Sequence, residues 1–364
     1  MFAPPYRAAV IGRTGRGDYG HGLDLAVLDL PKLQVVAVAD DDAEGLAKAA
    51  QRLGGIKPYR DYRVMLREEK PEFVVVGPRW LDGHKEMILE CADHGVRGVF
   101  CEKPLAPDLA SCDAIVDACD RSHMKLAMAF QTRYSPKLAK IQKLIADGAI
   151  GEVLELRGRG KEDARGGGED LMVLGVHILN LCNALLGEPS WCFARVSEHG
   201  EPIGPKEVRQ GAEGIGPLAG DRVDAMFGFS GSPAVAHFET SRPKEPGRRF
   251  GLTIFGSKGC IRMATGWMPP AFLLSDPTWA ATDSARWTPI TVDGVDEKND
   301  AHLGNRAIVS DLIHAVETDT QPLTDARAGR TPVEMIMACY ASQAKNAMVK
   351  MPLEGRTEHP LKSI

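Results

Sequence analysis

The stretch Tyr6-Arg-Ala-Ala-Val-Ile-Gly-Arg-Thr-Gly-Arg-Gly-Asp-Tyr-Gly20 decides the fold of this chain. Its first six residues are mostly apolar and suffice for one buried parallel strand. Glycines follow at positions 12, 15, 17 and 20, and the last three fit the spacing G-x-G-x-x-G. Glycine suits a tight turn that approaches a pyrophosphate because it lacks a Cβ atom. The helical spacing of Leu23, Val27 and Leu30 predicts a helix behind the turn, whose first amides would face the phosphates.

A second apolar run ends in an acid where a dinucleotide fold needs one. Residues 33–39 predict a strand, and Asp40 follows it, 20 residues beyond Gly20. In that fold a carboxylate at about this distance binds the adenosine ribose. Strand, glycine turn, helix, strand and acid in this order favour a nucleotide site over a purely structural turn.

Composition indicates a globular protein of two domains. The chain of 364 residues is longer than a domain with a single hydrophobic core usually is. Its hydrophobic and charged fractions of 44% and 26% are typical of soluble proteins. A net charge of −5 without a Lys/Arg-rich run argues against a nucleic-acid partner. We identify no signal peptide before the first strand and no apolar stretch long enough for a bilayer. The sequence therefore predicts a cytoplasmic protein without membrane association.

The eight cysteines show neither a C-x-x-C motif nor a spacing paired with histidine. Several lie inside apolar runs. They are predicted to be buried free thiols in a reducing compartment, and no metal site is expected.

The first third of the chain alternates strand and helix patterns. Further short apolar strands are predicted at 72–76, 96–101 and 125–130, with helices at 42–53, 82–94 and 108–122. Such alternation predicts an α/β Rossmann domain over residues 1–130, with a doubly wound parallel sheet.

The second domain, residues 131–364, has a different pattern. A helix at 137–147 precedes strand patterns between 152 and 263, which predict an α+β domain with a mostly antiparallel sheet. Residues 199–220, with six glycines and three prolines, predict a loop. Gly166-Gly-Gly168 gives room for a ligand or forms a loose turn. C-terminal helices are predicted at 301–318 and 331–350, the latter opening with the capping box Thr331-Pro-Val-Glu334, and these helices could pack back on the first domain.

Lys103 is the first candidate for chemistry. It follows Cys101-Glu102 at the C-terminal end of a strand predicted to be parallel and central, and ligands in doubly wound sheets bind beyond such ends. A lysine there can orient a bound hydroxyl and stabilise charge on its oxygen. Judged from its position alone, Lys103 could equally well be a solvent-exposed lysine before a proline turn.

Together these motifs resemble the Gfo/Idh/MocA family, which includes glucose-fructose oxidoreductase and inositol dehydrogenase-like enzymes. The similarity rests on the glycine turn, Asp40, Gly77-Pro78 with His84, and Glu102-Lys103-Pro104. It continues through further short motifs and so covers nearly the whole chain. These motifs are Phe130-Gln-Thr-Arg133, Ile150-Gly-Glu-Val153, Gly175-Val-His177, Phe255-Gly-Ser-Lys-Gly259 and Ala338-Cys-Tyr-Ala-Ser342.

The resemblance implies a Rossmann domain, a second domain with an open-faced sheet, NAD or NADP as cofactor, and a sugar or polyol substrate. It also implies a homodimer or homotetramer formed through that sheet. Lys103 and His177 are the implied catalytic pair. The implied cofactor contacts are Gly12, Arg13, Thr14, Gly15, Arg16, Gly17, Asp40, Pro78, His84, Glu102 and Lys103. The expected substrate contacts are Lys103, Arg133, Lys161, Asp170, His177 and Asn180.

The surroundings of His177 depart from the family pattern. A regular helix over 169–186 would place His177 on one stripe with Asp170, Val173 and Asn180. Histidine beside an apolar face is commonly a satisfied core residue, but the resemblance favours a substrate-facing role. Family members commonly carry aspartate where this chain has Val173, and often where it has Asn180. We predict that Asp170 contacts substrate and that His177 is oriented by another group; alternatively, Asp170 only stabilises the helix N-terminus.

The leading functional hypothesis is a nicotinamide-dependent dehydrogenase acting on a secondary alcohol of a sugar, inositol or sugar derivative. His177 would be the general base, and Lys103 would hold the developing alkoxide. The missing aspartate keeps open a redox-neutral, NAD-using glycosidase or lyase, in which transient oxidation permits elimination. A sugar- or cofactor-binding sensor is a third hypothesis, and the retained Lys103 and His177 argue against it.

The acids after the second strand favour NAD over NADP. Asp40-Asp-Asp42 would place carboxylates, rather than cations, against a 2′-phosphate. Arg13 and Arg16 could reach an adenosine phosphate, but we expect them at the pyrophosphate.

Overall fold

The computed structural model describes residues 5–243, 245 and 249–364, and the chain divides into two compact units. The first unit runs up to Gln131 and includes Ala301–Arg330. The second comprises Thr132–Asp300 and Thr331–Ile364.

The first unit contains a sheet of six parallel strands in the order β3-β2-β1-β4-β5-β6. This confirms the predicted doubly wound fold, and the strand order reverses at β1, so a ligand crevice is expected beyond the C-terminal ends of β1 and β4. The strand predicted to be central, β5, instead lies one position from the edge. The strands are β1 (Tyr6–Ile11), β2 (Leu33–Ala39), β3 (Lys57–Tyr59), β4 (Phe73–Val76), β5 (Gly98–Cys101) and β6 (Lys125–Met128).

Four helices follow these strands in the first part of the chain. Three of them begin after an aspartate whose side chain accepts a backbone N–H, namely Asp42, Asp61 and Asp108. The helices are α1 (Ala43–Arg52), α2 (Tyr62–Glu69), α3 (His84–Asp93) and α4 (Leu109–Ser122). The short β3 and α2 were not predicted, although Asp61 is a recognisable cap for α2.

The segment behind the glycine turn is not the predicted helix. Residues 19–29 form consecutive turns. Gly20 and Gly22 have φ angles of 65° and 75°, which a right-handed helix cannot accommodate. Leu23 and Val27 are nevertheless buried. Their spacing therefore reflects packing of turns against the core.

The second unit contains a mixed sheet in the order β17-β16-β15-β14-β7-β13-β12-β8-β18, with β9 also paired to β8. Every pairing is antiparallel except that of β7 with β13, which confirms the mostly antiparallel sheet. Two further short strands pair within the predicted loop 199–220. The strands are β7 (Val153–Arg159), β8 (Pro189–Glu198), β9 (Glu201–Pro202), β10 (Arg209–Gln210), β11 (Pro217–Leu218), β12 (Arg222–Phe229), β13 (Ser232–Ser241), β14 (Gly251–Gly256), β15 (Gly259–Met263), β16 (Ala271–Leu274), β17 (Thr288–Pro289) and β18 (Val349–Lys350).

A helical segment packs closely on this sheet. A Cβ atom on Gly158 would lie 2.2 Å from Ile178, and one on Gly175 would lie 2.7 Å from the Phe238 ring. The predicted regular helix over 169–186 is interrupted by a π-helical turn, Leu171–Gly175. Wide turns of this kind occur frequently at functional sites. The helices here are α5 (Pro136–Ala146), α6 (Gly168–Asp170) and α7 (Val176–Leu186).

The expectation that no apolar stretch is long enough for a bilayer is wrong, because the 19-residue segment Gly168–Leu186 could cross a membrane by length and composition alone. More than half of it is buried, and α7 contacts β7 and β13. The packing of a core helix accounts for its composition.

Two long helices lie near the C-terminus, α8 (Ala301–Thr318) and α9 (Ala326–Lys345). The predicted capping box at Thr331 is wrong, because α9 begins five residues earlier and Pro332 lies inside it. The side chain of Asp325 accepts the N–H of Ala328 at 2.8 Å. Glu334 instead accepts the N–H of Leu353 at 2.8 Å. Single 3-10 turns occur at Leu81–Gly83, Gln131–Tyr134, Pro205–Glu207, Ala212–Gly214 and Pro360–Ser363.

The glycine run at 166–168 is neither a loose turn nor open space for a ligand. A Cβ atom on Gly166 would lie 2.1 Å from the carbonyl oxygen of Ser241. On Gly167 and Gly168 it would lie 2.4 Å from the carbonyl oxygens of Gly220 and Ala219. These glycines permit direct backbone packing.

All eight cysteines are buried free thiols, as predicted. Burial raises the pKa of the Cys182 thiol to about 12. A protonated thiol is a poor nucleophile and metal ligand, so Cys182 serves as a small apolar core group.

Candidate active site

The glycine turn leaves one side open and packs closely on the other. Gly15 and Gly17 have φ angles of 77° and 87°, which favour glycine. A Cβ atom on Gly15 would meet nothing within 4 Å, whereas one on Gly17 would lie 2.4 Å from the backbone nitrogen of Arg79. A ligand can therefore approach the backbone at Gly15.

Two guanidinium groups lie beside this turn and share one carboxylate. Arg13 contacts Asp82 at 2.9 Å and Arg16 contacts it at 3.4 Å. Arg16 also lies over the ring of Trp80, 5.7 Å from its centroid. Paired guanidinium groups suit a bound pyrophosphate, and the Asp82 carboxylate holds the two side chains together.

A cleft of about 460 Å3 opens beside the C-terminal ends of β1 and β2. This volume is typical of small-molecule sites. Its predicted members are Gly12, Arg13 and Asp40. The other lining residues are Ile11, Ala39, Asp41, Arg60, Asp61, Tyr62, Arg63, Asp82, Gly83, Glu86 and Met87. Of these, Asp41 could have been identified from the acidic run 40–42, whereas no sequence signal marked Arg60 or Tyr62.

Asp40 lies at this cleft but is only 2% exposed. It accepts the backbone N–H and the hydroxyl of Thr14, at 3.1 and 2.7 Å. The hydroxyl of Tyr19 donates to it at 2.8 Å, and the N–H of Asp42 at 3.0 Å. Contact of Asp40 and Thr14 with a cofactor stays a prediction, but both residues already stabilise the glycine turn.

Glu102 and Lys103 follow β5 and are both buried. Glu102 accepts the backbone N–H of Lys103 at 2.7 Å and that of His21 at 3.1 Å. The His21 ring also bonds to Glu102. Burial alone would raise the pKa of Glu102, but the His21 bond and the charge and N–H of Lys103 lower that pKa to about 2. An anion is thus held against the backbone N–H of Lys103 at any ordinary pH.

His84 connects two turns at the ends of β4 and β5. Its Nε2 lies 2.7 Å from the carbonyl oxygen of Pro78. Its Nδ1 lies 3.1 Å from that of Pro104 and 3.2 Å from that of Leu105. The ring is fully buried. This geometry positions the Pro78 and Glu-Lys-Pro turns, and direct contact of His84 or Pro78 with a cofactor stays untested.

In the second unit, His177 lies half-buried on α7. Its ring centroid is 6.4 Å from that of Phe250, with the planes 74° apart. Asn180, one turn later, accepts a hydrogen bond from Arg133 at 3.5 Å. Val173 is 8% exposed, where family members commonly carry an acid. Arg133, His177 and Asn180 thus lie within one region of this unit, and their contact with substrate stays a prediction.

Asp170 is fully buried and bonded to the protein. Its oxygens accept the backbone N–H groups of Lys161 and Glu162, at 3.3 and 3.1 Å, and the hydroxyl of Thr240. Burial raises the pKa of Asp170, although these hydrogen bonds oppose the shift. The π-helical turn Leu171–Gly175 changes the angular position of Asp170 around the helix axis relative to that of His177. The predicted substrate contact is untested, and the geometry favours a structural role. The exposed Lys161 side chain lies 3.5 Å from Asp163.

Family models match both parts of this chain. Residues 6–130 match the oxidoreductase family with an NAD-binding Rossmann fold, GFO_IDH_MocA. Residues 138–262 match the GFO/IDH/MocA C-terminal domain. The two matches together span more than half of the chain.

Relatives and solved structures agree with these matches. The D-apiose dehydrogenase of Paraburkholderia graminis is 30% identical over 190 residues, which span 50% of this chain and only 50% of that relative's length. The myo-inositol 2-dehydrogenase of Thermotoga maritima is 25% identical over 260 residues, 69% of this chain and 74% of the relative. A structure of levoglucosan dehydrogenase with NADH and levoglucosan shares the fold, with a TM-score of 0.77 and 20% identity over 96% of this chain and 100% of its own. The chain therefore belongs to the Gfo/Idh/MocA family of oxidoreductases, and its first unit is that family's NAD-binding Rossmann domain.

Proposed function

We propose that this protein is an NAD-dependent dehydrogenase that oxidises a secondary alcohol of a sugar, inositol or sugar derivative. The observation that carries the proposal is the buried Lys103 at the end of β5, held beside the buried anion of Glu102. The similarity to D-apiose, myo-inositol and levoglucosan dehydrogenases supports this substrate class.

The first unit has the features that a dinucleotide needs. The turn is open at Gly15, the cleft lies at the strand ends, and Arg13 and Arg16 supply positive charge for the pyrophosphate. Bound NAD+ would supply the hydride acceptor. Glu102 and His84 would hold the turn that presents Lys103.

Two side chains of this protein would act on the substrate. The ammonium of Lys103 would hold the reacting hydroxyl and stabilise the negative charge that develops on its oxygen. The imidazole of His177 would take the hydroxyl proton as general base. The ring of His177 packs edge-on against Phe250, and we propose that this contact and the substrate itself restrict the imidazole.

The apolar Val173 also supports a second candidate, the redox-neutral glycosidase or lyase. An altered set of acid–base groups, as at Val173 and Asn180, fits a reaction in which the hydride returns to the product. The two candidates differ in net NADH formation, which makes them separable by experiment.

The test is to incubate the protein and NAD+ with a panel of sugars, polyols and aryl glycosides. Net NADH is the expected result. Released aglycone without net NADH would support the redox-neutral alternative, and binding without turnover would support a sensor. Lys103→Met and His177→Ala should each strongly lower the activity found. The matched controls are Lys125→Met, a buried lysine paired with Asp319 at 2.7 Å, and His199→Ala, an exposed histidine of the second unit.

We also propose that a second copy of the chain covers the open face of the second unit's sheet. Cross-strand partners point to the same face of a sheet, and one row of partners crosses seven strands. Every member of this row is exposed or half-buried, with phenylalanine at both ends. The row is Phe193, Met226, His237, Arg157, Thr253, Arg262 and Phe272.

The opposite face of the same strands is buried, so this row is the accessible surface of the sheet. Phe193 and Phe272 remain 46% and 38% exposed. A surface that combines exposed aromatic side chains with arginines has the composition typical of a protein interface. This supports the homodimer or homotetramer that the family resemblance implies.

We further propose a reducing location such as the cytoplasm. Eight buried free thiols support it, since disulfides are typical of oxidising compartments. Fractionation of cells that produce the protein would test this.

A further inference from the structure

The hydrogen-bond acceptor positions of Asp40, the acid at the end of β2, are filled by donors of the protein itself. An ionised carboxylate has about four acceptor positions. Asp40 receives four donors, from the N–H and hydroxyl of Thr14, the hydroxyl of Tyr19 and the N–H of Asp42. Because it is also only 2% exposed, it has little capacity left for a ribose hydroxyl.

The side chain of the donor Tyr19 is held by contacts with Gly12, Arg52 and Asp40. Its ring packs on Gly12, where a Cβ atom would lie 2.2 Å from the ring. The guanidinium of Arg52 stacks over the ring at 4.8 Å, and Arg52 is itself held by the buried Asp24 at 2.6 Å. Burial and the bond to Asp40 raise the pKa of Tyr19, so its hydroxyl remains a donor.

The donor Thr14 is equally restricted. A Cβ atom on Gly45 of α1 would lie 1.8 Å from the Thr14 hydroxyl, so the two segments are in direct contact. Withdrawal of Asp40 toward a ligand would leave the hydroxyls of Thr14 and Tyr19 without their acceptor. Leaving buried donors without an acceptor is unfavourable, because they lose their hydrogen bonds to water without gaining new ones.

The neighbouring acid, Asp41, differs from Asp40 in its accessibility to a ligand. Asp41 is exposed and lines the cleft. Its backbone carbonyl accepts a bond from Arg60, which lines the same cleft. We propose that Asp41 is the residue that binds the adenosine ribose hydroxyls and disfavours a 2′-phosphate, and that Asp40 is a positioning residue for the glycine turn. This inference rests on the proposed function, because it assumes a bound dinucleotide.

The test is calorimetric titration of NAD+ and NADP+ into the wild type and three asparagine variants, together with thermal melting. Asp41→Asn should lower the ratio of the NADP+ to the NAD+ dissociation constant by about tenfold or more, because a charged acceptor is lost. Its Tm should not change. Asp42→Asn is the matched control, since asparagine caps a helix as well as aspartate and should leave the ratio unchanged. Asp40→Asn should weaken both dinucleotides alike and lower Tm.

A second variant covers the case in which Asp40→Asn does not fold. Tyr19→Phe frees one acceptor position on Asp40 and should leave the ratio unchanged. A ratio that moves with Asp40→Asn or Tyr19→Phe, but not with Asp41→Asn, would overturn the assignment while the proposed function stands. A wild-type chain that binds neither dinucleotide would overturn both.

Discussion

Glu102 accepts the backbone N–H of Lys103 at 2.7 Å, so its carboxylate turns back onto the residue that follows it. The same carboxylate receives the N–H and the ring of His21 from the glycine-rich segment. A buried anion bonded in this way connects the end of β5 to the turn after β1. The lysine proposed for catalysis is thus presented by a turn with little freedom to move.

This arrangement predicts acid-sensitive stability. The pKa of Glu102 falls from 4.5 to about 2 on folding, so its contribution is complete above pH 4.5 and is lost as the pH falls toward 2. Urea unfolding should show Glu102→Gln less stable than the wild type by roughly 3 kcal/mol near neutral pH. The difference should shrink progressively on acidification. Glu44→Gln, an exposed control on α1, should have little effect. A difference independent of pH would mean that the charge of Glu102 contributes nothing.

Lys103→Met and His177→Ala should lower kcat far more than they weaken NAD+ binding. Both groups are proposed to act on the reacting carbinol, so their effect lies in the transition state. Loss of a general base typically costs about 10²–10⁴-fold. Steady-state kinetics with the substrate identified by the panel, together with NAD+ titration, would measure this. Near-normal kcat in either variant, with the Lys125→Met and His199→Ala controls also unaffected, would make that residue structural.

The sequence predicted most of the first unit because five of its six parallel strands are mostly apolar runs, whereas the short β3, with the sequence Lys-Pro-Tyr, was missed. The acid after β2 and the lysine after β5 were also placed correctly along the chain. The helix after the glycine turn was wrong, because Leu23 and Val27 have helical spacing while Gly20 and Gly22 prevent a helix. Apolar spacing reports burial and does not determine backbone conformation.

The remaining errors arise from contacts distant in sequence. Thr331-Pro-Val-Glu334 has every local feature of a helix start, yet Asp325 begins α9 and Glu334 bonds to Leu353. The four donors of Asp40 come from three separate residues, and only Asp42 is a near neighbour. The role of Tyr19 depends on its ring meeting Gly12. Such three-dimensional coincidences leave no periodic pattern in the sequence.

The open sheet face predicts that assembly depends on Phe193. Phe193→Asp would place a charge among the apolar and cationic groups of the row and should yield smaller assemblies in analytical ultracentrifugation. Leu28→Asp is the control, because Leu28 is 39% exposed in the first unit and does not belong to the row. Its mass should equal that of the wild type. An unchanged mass for Phe193→Asp would exclude this face as the interface.

Asp170→Asn separates the two roles considered for that residue. The aspartate holds the N–H groups of Lys161 and Glu162 and the hydroxyl of Thr240, and an amide can accept on one side only. One of these donors would then face the amide NH2 group. We expect a loss of about 1–3 kcal/mol in the free energy of unfolding, with KM unchanged.

The matched control for that variant is Asp163→Asn. Asp163 is half-buried in the same segment and pairs with Arg165 at 2.7 Å, and a pair of this exposure contributes about 1 kcal/mol or less. Thermal melting and steady-state kinetics on both variants decide between the roles. If Asp170→Asn raises KM strongly and melts like the wild type, the Asp170 carboxylate contacts substrate. Its hydrogen bonds to Lys161, Glu162 and Thr240 would then have to be replaced by bonds to the substrate on binding. Lower stability with normal KM leaves His177 to be oriented by Phe250, Asn180 or the substrate.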